Sequence, residues 1–151
     1  METTPKSLPL ESAPGATHTL QHNQYEVDVY KLISLTQELP ETTISIANYL
    51  DQLDDPCWTD SQDNRFTPRQ VAEIYKELGS TIGADKYPNL KKHLQQIEQV
   101  DYAHPVLIFE GKIIDGSHRF AKAFVDNQIS LKAKVVDEMP AGAIIKFHKP
   151  E

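Results

Sequence analysis

Between Ile113 and Ala123 the chain places a carboxylate, a glycine, a hydroxyl, an imidazole and a guanidinium in a row: Asp115, Gly116, Ser117, His118 and Arg119. Two β-branched apolar residues, Ile113 and Ile114, run into this group, and glycine permits a turn closed to most residues. Ser117 then stands where it can cap a helix whose free N–H groups and positive dipole end lie beside His118 and Arg119. That combination describes an anion site, for phosphate above all. In this reading Gly116, Ser117 and the helix N-terminus cradle the phosphate, and Arg119 supplies a bidentate contact. His118, with an unperturbed pKa of about 6.5, donates to a phosphate oxygen or works as acid and base. Asp115 holds Mg²⁺ through water or orients a nucleophile, and an Asx turn explains it equally well. The plain alternative for the whole stretch is a capped strand-to-helix turn with a surface arginine.

The elements that must position this turn are legible on both sides of it. Pro105 introduces Val106 to Phe109, a continuous apolar run typical of a strand buried on both faces. Glu110-Gly111-Lys112 reads as a tight hairpin connection, and Ile113-Ile114 returns antiparallel. After the turn, Phe120, Ala121, Phe124 and Val125 mark the inward face of a helix, with Asn127 a left-handed cap. Leu131 to Val136 alternates with Lys132 and Lys134 as a final, half-exposed strand.

Upstream, Asp28 is an N-cap for a helix with Val29, Leu32, Ile33 and Leu39 on one face, stopping before Pro40. Thr42 to Ala47 suits a short strand, and Asn48 to Asp55 a turn or short helix. Asp51, Asp54 and Asp55 lack the glycine and terminal glutamate of a calcium loop, and a solvated acidic loop fits them better. Trp58, between polar stretches, anchors a loop to the core, with stacking on a nucleobase as the alternative. Thr67, Pro68 and Gln70 form a capping box with proline at the first helical position. Val71, Ile74, Tyr75 and Leu78 then face inward, and Gly79 ends that helix. A further helix follows Pro88, with Leu90, Leu94, Ile97 and Val100 inward and Lys91, Lys92 and His93 on a wet face.

At 151 residues with 39% apolar content, the chain has one domain's length and some sequence outside its core. Residues 1–24, with Pro5, Pro9 and Pro14, read as a flexible tail, and 25–151 as a single domain. His18 and His22 in that tail are solvated rather than a metal pair. The net charge of −7 argues against a protein that coats nucleic acid by charge alone. A single cysteine, Cys57, excludes an internal disulfide and a cysteine zinc cluster, and beside Trp58 it reads as a packed apolar group. No apolar run follows Lys6 and no stretch reaches a membrane span, so a soluble cytoplasmic protein is expected.

Over Pro105 to Val136 the chain resembles the ParB/sulfiredoxin superfamily. The resemblance rests on the apolar strand after a proline, the return strand, the glycine turn, the helix opened by His118-Arg119, and the strand from Leu131. Ile44 to Leu50 and Trp58 to Leu78 also resemble bacterial members that carry Asp-Gly-x-His-Arg. It implies an α+β fold, a small mixed sheet flanked by helices, with the turn on nucleotide phosphates. Sulfiredoxins carry their reactive cysteine where this chain has Ser117, and a hydroxyl cannot replace that thiolate. ParB proteins carry a Gly-Glu-Arg-Arg type motif and a following DNA-binding domain, for which little chain is left. The free serine kinase-like members, with Asp-Gly-His-His-Arg, match Asp115, Gly116, His118 and Arg119.

What the resemblance implies is a nucleotide-phosphate-binding protein, a Mg²⁺-dependent phosphotransferase or nucleoside triphosphatase. Its cofactors would be ATP, ADP or CTP with Mg²⁺, and its partner a small-molecule acceptor. A catalytic glutamate would come from the N-terminal part, where Glu38 and Glu41 qualify by region. The alternative is a ParB-like nucleic-acid-directed module, a nuclease or regulator, or a non-catalytic interaction protein. Lys91, Lys92, Arg119, Lys122, Lys132 and Lys134 favour it, and the net acidity opposes it.

Overall fold

In the computed structural model, which describes residues 19–22 and 25–147, the chain opens with β1 (Thr19–His22), β2 (Tyr25–Asp28), α1 (Val29–Leu35) and β3 (Thr42–Ser45). A 3-10 segment (Ile46–Asp54) leads to the short strands β4 (Trp58–Thr59) and β5 (Arg65–Phe66), then to α2 (Pro68–Lys86) and α3 (Lys91–Glu98). β6 (Val106–Phe109), β7 (Lys112–Asp115), α4 (Ser117–Val125), β8 (Ser130–Val136) and β9 (Ile144–Phe147) complete it.

The expected mixed sheet is present, four-stranded in the order β3-β8-β6-β7. β6 runs parallel to β8 while the other pairs are antiparallel. All four residues of β6 are buried, because each sheet face carries its own core. Val106 and Ile108 pack with Ile44, Phe120 and Ala133 on the α4 side. Leu107 and Phe109 pack with Val27, Leu32, Ile114 and Val136 on the α1 side. A third cluster joins α2, α3 and α4 through Val71, Leu90, Leu94, Ile97 and Ala121, with Trp58 among them.

Local chemistry explains where most elements start. Asp28 accepts from Lys31 N at 3.1 Å as the α1 cap, and Thr67 with Gln70 forms the full capping box of α2. Glu110 and Gly111 take positive φ of 53° and 77° in the β6–β7 hairpin, and Asn127 closes α4 at φ 57°. Gln52 covers the edge of β7: its amide donates to Gly111 O and accepts from Ile113 N, both at 2.9 Å.

Several boundaries differ from the sequence reading. Residues 19–22, assigned to the tail, form β1, paired with β2 in a second, three-stranded sheet with β9. The rest of that tail, residues 1–18 and 23–24, lies outside the described residues, and with it His18, one of the two tail histidines expected to be solvated. α1 stops at Leu35 rather than before Pro40: Thr36 leaves helical backbone at φ −107° and ψ 12°, with its amide and its hydroxyl both on Leu32 O at 3.0 and 2.8 Å. Gly79 ends the first helical stretch of α2 as expected, leaving helical backbone at φ 78° and ψ −177°, and a second stretch continues from there to Lys86. β8 is an interior strand rather than the last one, since β3 uses its far side and β9 follows it.

Candidate functional site

The turn from Asp115 to Arg119 lies where β7 gives way to α4. Gly116 occupies the N-cap with φ 100°, and no side chain caps the helix. Ser117 is therefore the first helical residue rather than its cap. Glycine is required twice over at position 116. The backbone is left-handed, and a Cβ would stand 2.7 Å from Val106 Cγ1 and 3.1 Å from Arg119 Cζ. The helix end is thus pressed against β6 with its first-turn amides outside the intrahelical ladder.

Arg119 is not at the surface. Its side chain is 3% exposed, and it donates to His104 O and Pro105 O at 2.9 and 2.7 Å and to Asp115 Oδ2 at 3.1 Å. Asp115, 2% exposed in its side chain, is the acidic half of this pair. The two residues that flank the turn therefore bolt β7, α4 and the segment leading into β6 together. The sequence suggested an Asx turn or a metal role for Asp115 and a phosphate contact for Arg119, whereas the geometry gives both to this clamp.

Ser117 and His118 face a different set of groups. The indole Nε1 of Trp58 donates to Ser117 Oγ at 3.1 Å. The same indole lies over two imidazoles, 4.2 Å from His118 and 4.8 Å from His93 between centroids. Those imidazoles are nearly parallel, at 16°, with His93 Nδ1 3.0 Å from His118 Nε2. His93 Nε2 lies 2.7 Å from Thr59 O, which can only accept. Nε2 of His93 therefore carries a proton, and in the neutral ring Nδ1 accepts from His118 Nε2–H. Burial under the indole pulls His93 down to about 4, with the neighbouring His118 and Lys92 adding to the drop against the Thr59 carbonyl. At neutral pH His93 is a fixed, uncharged acceptor.

The strand pair β4–β5 that carries Trp58 is itself pinned by Asp60, which the sequence did not single out. Its carboxylate accepts from Gln62 N and Asn64 N, both at 2.8 Å, and from the amides of Asn64 and Asn89 at 3.2 and 2.7 Å. Burial opposes its charge, but these bonds win and hold it near 2. Because Asn89 sits in the 3-10 turn Pro88–Leu90 that leads into α3, Asp60 fixes the Trp58 strand against the helix that bears His93. An Asp-x-x-x-Asn spacing in a polar loop is the sequence signal that could have found it.

Other expectations fall out as follows. His93 belongs to the stack rather than to a wet face, while Lys91 and Lys92 are exposed as expected. Trp58 is 6% exposed and anchors the loop, with one ring face given to His118 and His93. Cys57 is surface-exposed rather than packed, and desolvation of its thiol together with the nearby Asp55 pushes it up to about 11. Glu38 and Glu41 are both exposed, outside the stack and the clamp. Asp54 is held by Arg69 through a 2.7 Å ion pair. Among the described residues no three His, Cys, Asp or Glu side chains gather as a metal site, and no helix is long and apolar enough to cross a membrane. No family model, curated protein or solved structure matches this chain.

Proposed function

We propose that this protein binds the phosphate of a nucleotide at the amino end of α4. The observation that carries the reading is an uncapped helix start at left-handed Gly116, bordered by the Ser117 hydroxyl and the hydrogen-bonded His118–His93 pair. First-turn amides and the helix dipole favour an anion, and the Ser117 hydroxyl adds a donor to it. Ser117 is the residue of the turn that reaches solvent, since Asp115, Gly116, His118 and Arg119 are buried. A ligand therefore approaches over Ser117, and the Asp115–Arg119 clamp acts on it through the turn it braces. The likeness of Asp115 to Arg119 to the turn of the ParB/sulfiredoxin superfamily supports the same reading.

Phosphoryl transfer, by a phosphotransferase or a nucleoside triphosphatase, is the reaction class this site suits. It asks mainly for positioning and charge neutralisation. The hydrogen bond between His118 Nε2 and His93 Nδ1 fixes the imidazole beside Ser117, the positioning such a reaction needs. The carboxylates beside the site do not fit a Mg²⁺ ion, because Asp115 is engaged with Arg119 and Asp60 with four protein donors. The test is calorimetric titration of ATP, ADP and CTP into the wild type and Ser117→Asp. An acidic residue in the first turn favours the helix but repels phosphate. Affinity at least about tenfold weaker in the variant is expected, the effect of losing one charged hydrogen bond. Equal affinity in the two proteins, or no binding in either, refutes the reading.

A further inference from the structure

On the other side of the sheet a cavity of about 70 Å³ opens between α1, the segment before β6, and β8. It lies on the face of Leu107, away from Val106, Phe120 and the histidine pair. At roughly 10–15 Å³ per water-sized group, it has room for a ligand of about five to seven non-hydrogen atoms. Its wall combines charge with apolar surface. Lys134, Arg119 and Asp115 line it, and so does His104. Lys134 and Arg119 against the Asp115 carboxylate leave one positive charge among these three groups. Ile33, Pro105 and Leu107 supply an apolar side.

Lys134 is the group that points to a ligand. Its Nζ donates to Thr36 O and Gln37 O at 3.2 and 3.0 Å, where α1 has ended. Among the described residues it makes no ion pair. An ammonium has three donors, so one remains for an incoming acceptor. Thr36 and Gln37 line the cavity where α1 ends, the first buried and the second exposed.

We propose that this cavity binds a short-chain carboxylate, a monoanion of three or so carbons. Its charge is met by Lys134 with Arg119 beyond, and its tail lies against Ile33, Pro105 and Leu107. A monoanion balances the single excess charge, whereas a phosphate dianion overshoots it beside Asp115. The apolar wall favours propionate or butyrate over a fully polar ion. The site is separate from the phosphate reading and does not rest on it.

The experiment is calorimetric titration of the full chain with acetate, propionate, butyrate and inorganic phosphate at matched ionic strength. The wild type, Lys134→Gln, Ile33→Phe and Ser117→Asp are compared. Saturable binding of propionate or butyrate is expected, weakened at least about tenfold in Lys134→Gln, the effect of a lost charged hydrogen bond. Ile33→Phe, which fills the cavity without touching a charge, blocks binding, and Ser117→Asp leaves it unchanged. Urea unfolding of each variant confirms that the fold persists, and Ile33→Phe keeps the test sharp if Lys134→Gln unfolds. No saturation below about 50 mM overturns the proposal, since that is weaker than a specific small-ligand contact. So does unchanged binding in a folded Lys134→Gln, or phosphate binding more tightly than every carboxylate.

Discussion

Replacing Arg119 by Met separates a clamp from a ligand contact. The guanidinium is buried with Asp115 and holds two main-chain carbonyls, at His104 and Pro105. Met fills most of the volume but leaves the Asp115 carboxylate in a dry site without its cation. Breaking a buried pair from one side costs about 3–5 kcal/mol. A single well-made surface phosphate contact, by contrast, has almost no effect on folding when removed. The expected loss is therefore about 4 kcal/mol, or roughly 8–16 °C in melting temperature for a chain of this size. The single tryptophan, Trp58, stacked on two imidazoles, is an internal fluorescence probe for urea unfolding. Asp115→Asn combined with Arg119→Met removes the stranded charge, so the double variant should recover at least about 1 kcal/mol relative to additivity. If Arg119→Met stays within about 1 kcal/mol of wild type, the smallest effect expected of any buried polar loss, the clamp assignment fails.

Gly116→Ala and Gly111→Ala both force alanine into positive φ, but only the first also meets a side chain, Val106 Cγ1 at 2.7 Å. The first should cost about 2–4 kcal/mol and the second about 1–2 kcal/mol, read by the same urea titrations. The depressed His93 imidazole makes stability depend on pH. The unfolded chain binds the extra proton between about 4 and 6.5, so this contribution is complete above about 6.5 and is lost as pH falls toward 4. Because the ring is only partly buried, screening reduces the loss to about 1–2 kcal/mol, and His93→Gln should flatten the slope. Asp60, held near 2, adds its own loss only below about 4.

Short-range chemistry was the legible part of this chain. The capping box at Thr67, the cap at Asp28 and the hairpin at Glu110-Gly111 each depend on residues within a few positions, so their types announce them. The fully apolar β6 likewise announces burial on both faces. The second sheet escaped because β1 and β2 are four residues each and β2 pairs on its other side with β9, more than a hundred residues away. At the site, the residue types from Asp115 to Arg119 were legible but their directions were not. Arg119 turns inward because two carbonyls 14 and 15 residues earlier receive it. His93 looked like part of a wet face because Trp58, 35 positions before it, covers it only in three dimensions. The end of α1 was missed because periodicity alone does not register where the backbone turns, here at Thr36 with φ −107° and ψ 12°.

The most direct test of a phosphate-binding helix start is an amide-resolved NMR titration of the wild type with ADP and with inorganic phosphate. The account predicts saturable shifts led by the backbone amides of Gly116, Ser117 and His118, with the His118 and His93 ring protons moving alongside them. Saturating nucleotide that leaves those amides in place, or that shifts only residues on the opposite face such as Lys134, contradicts it.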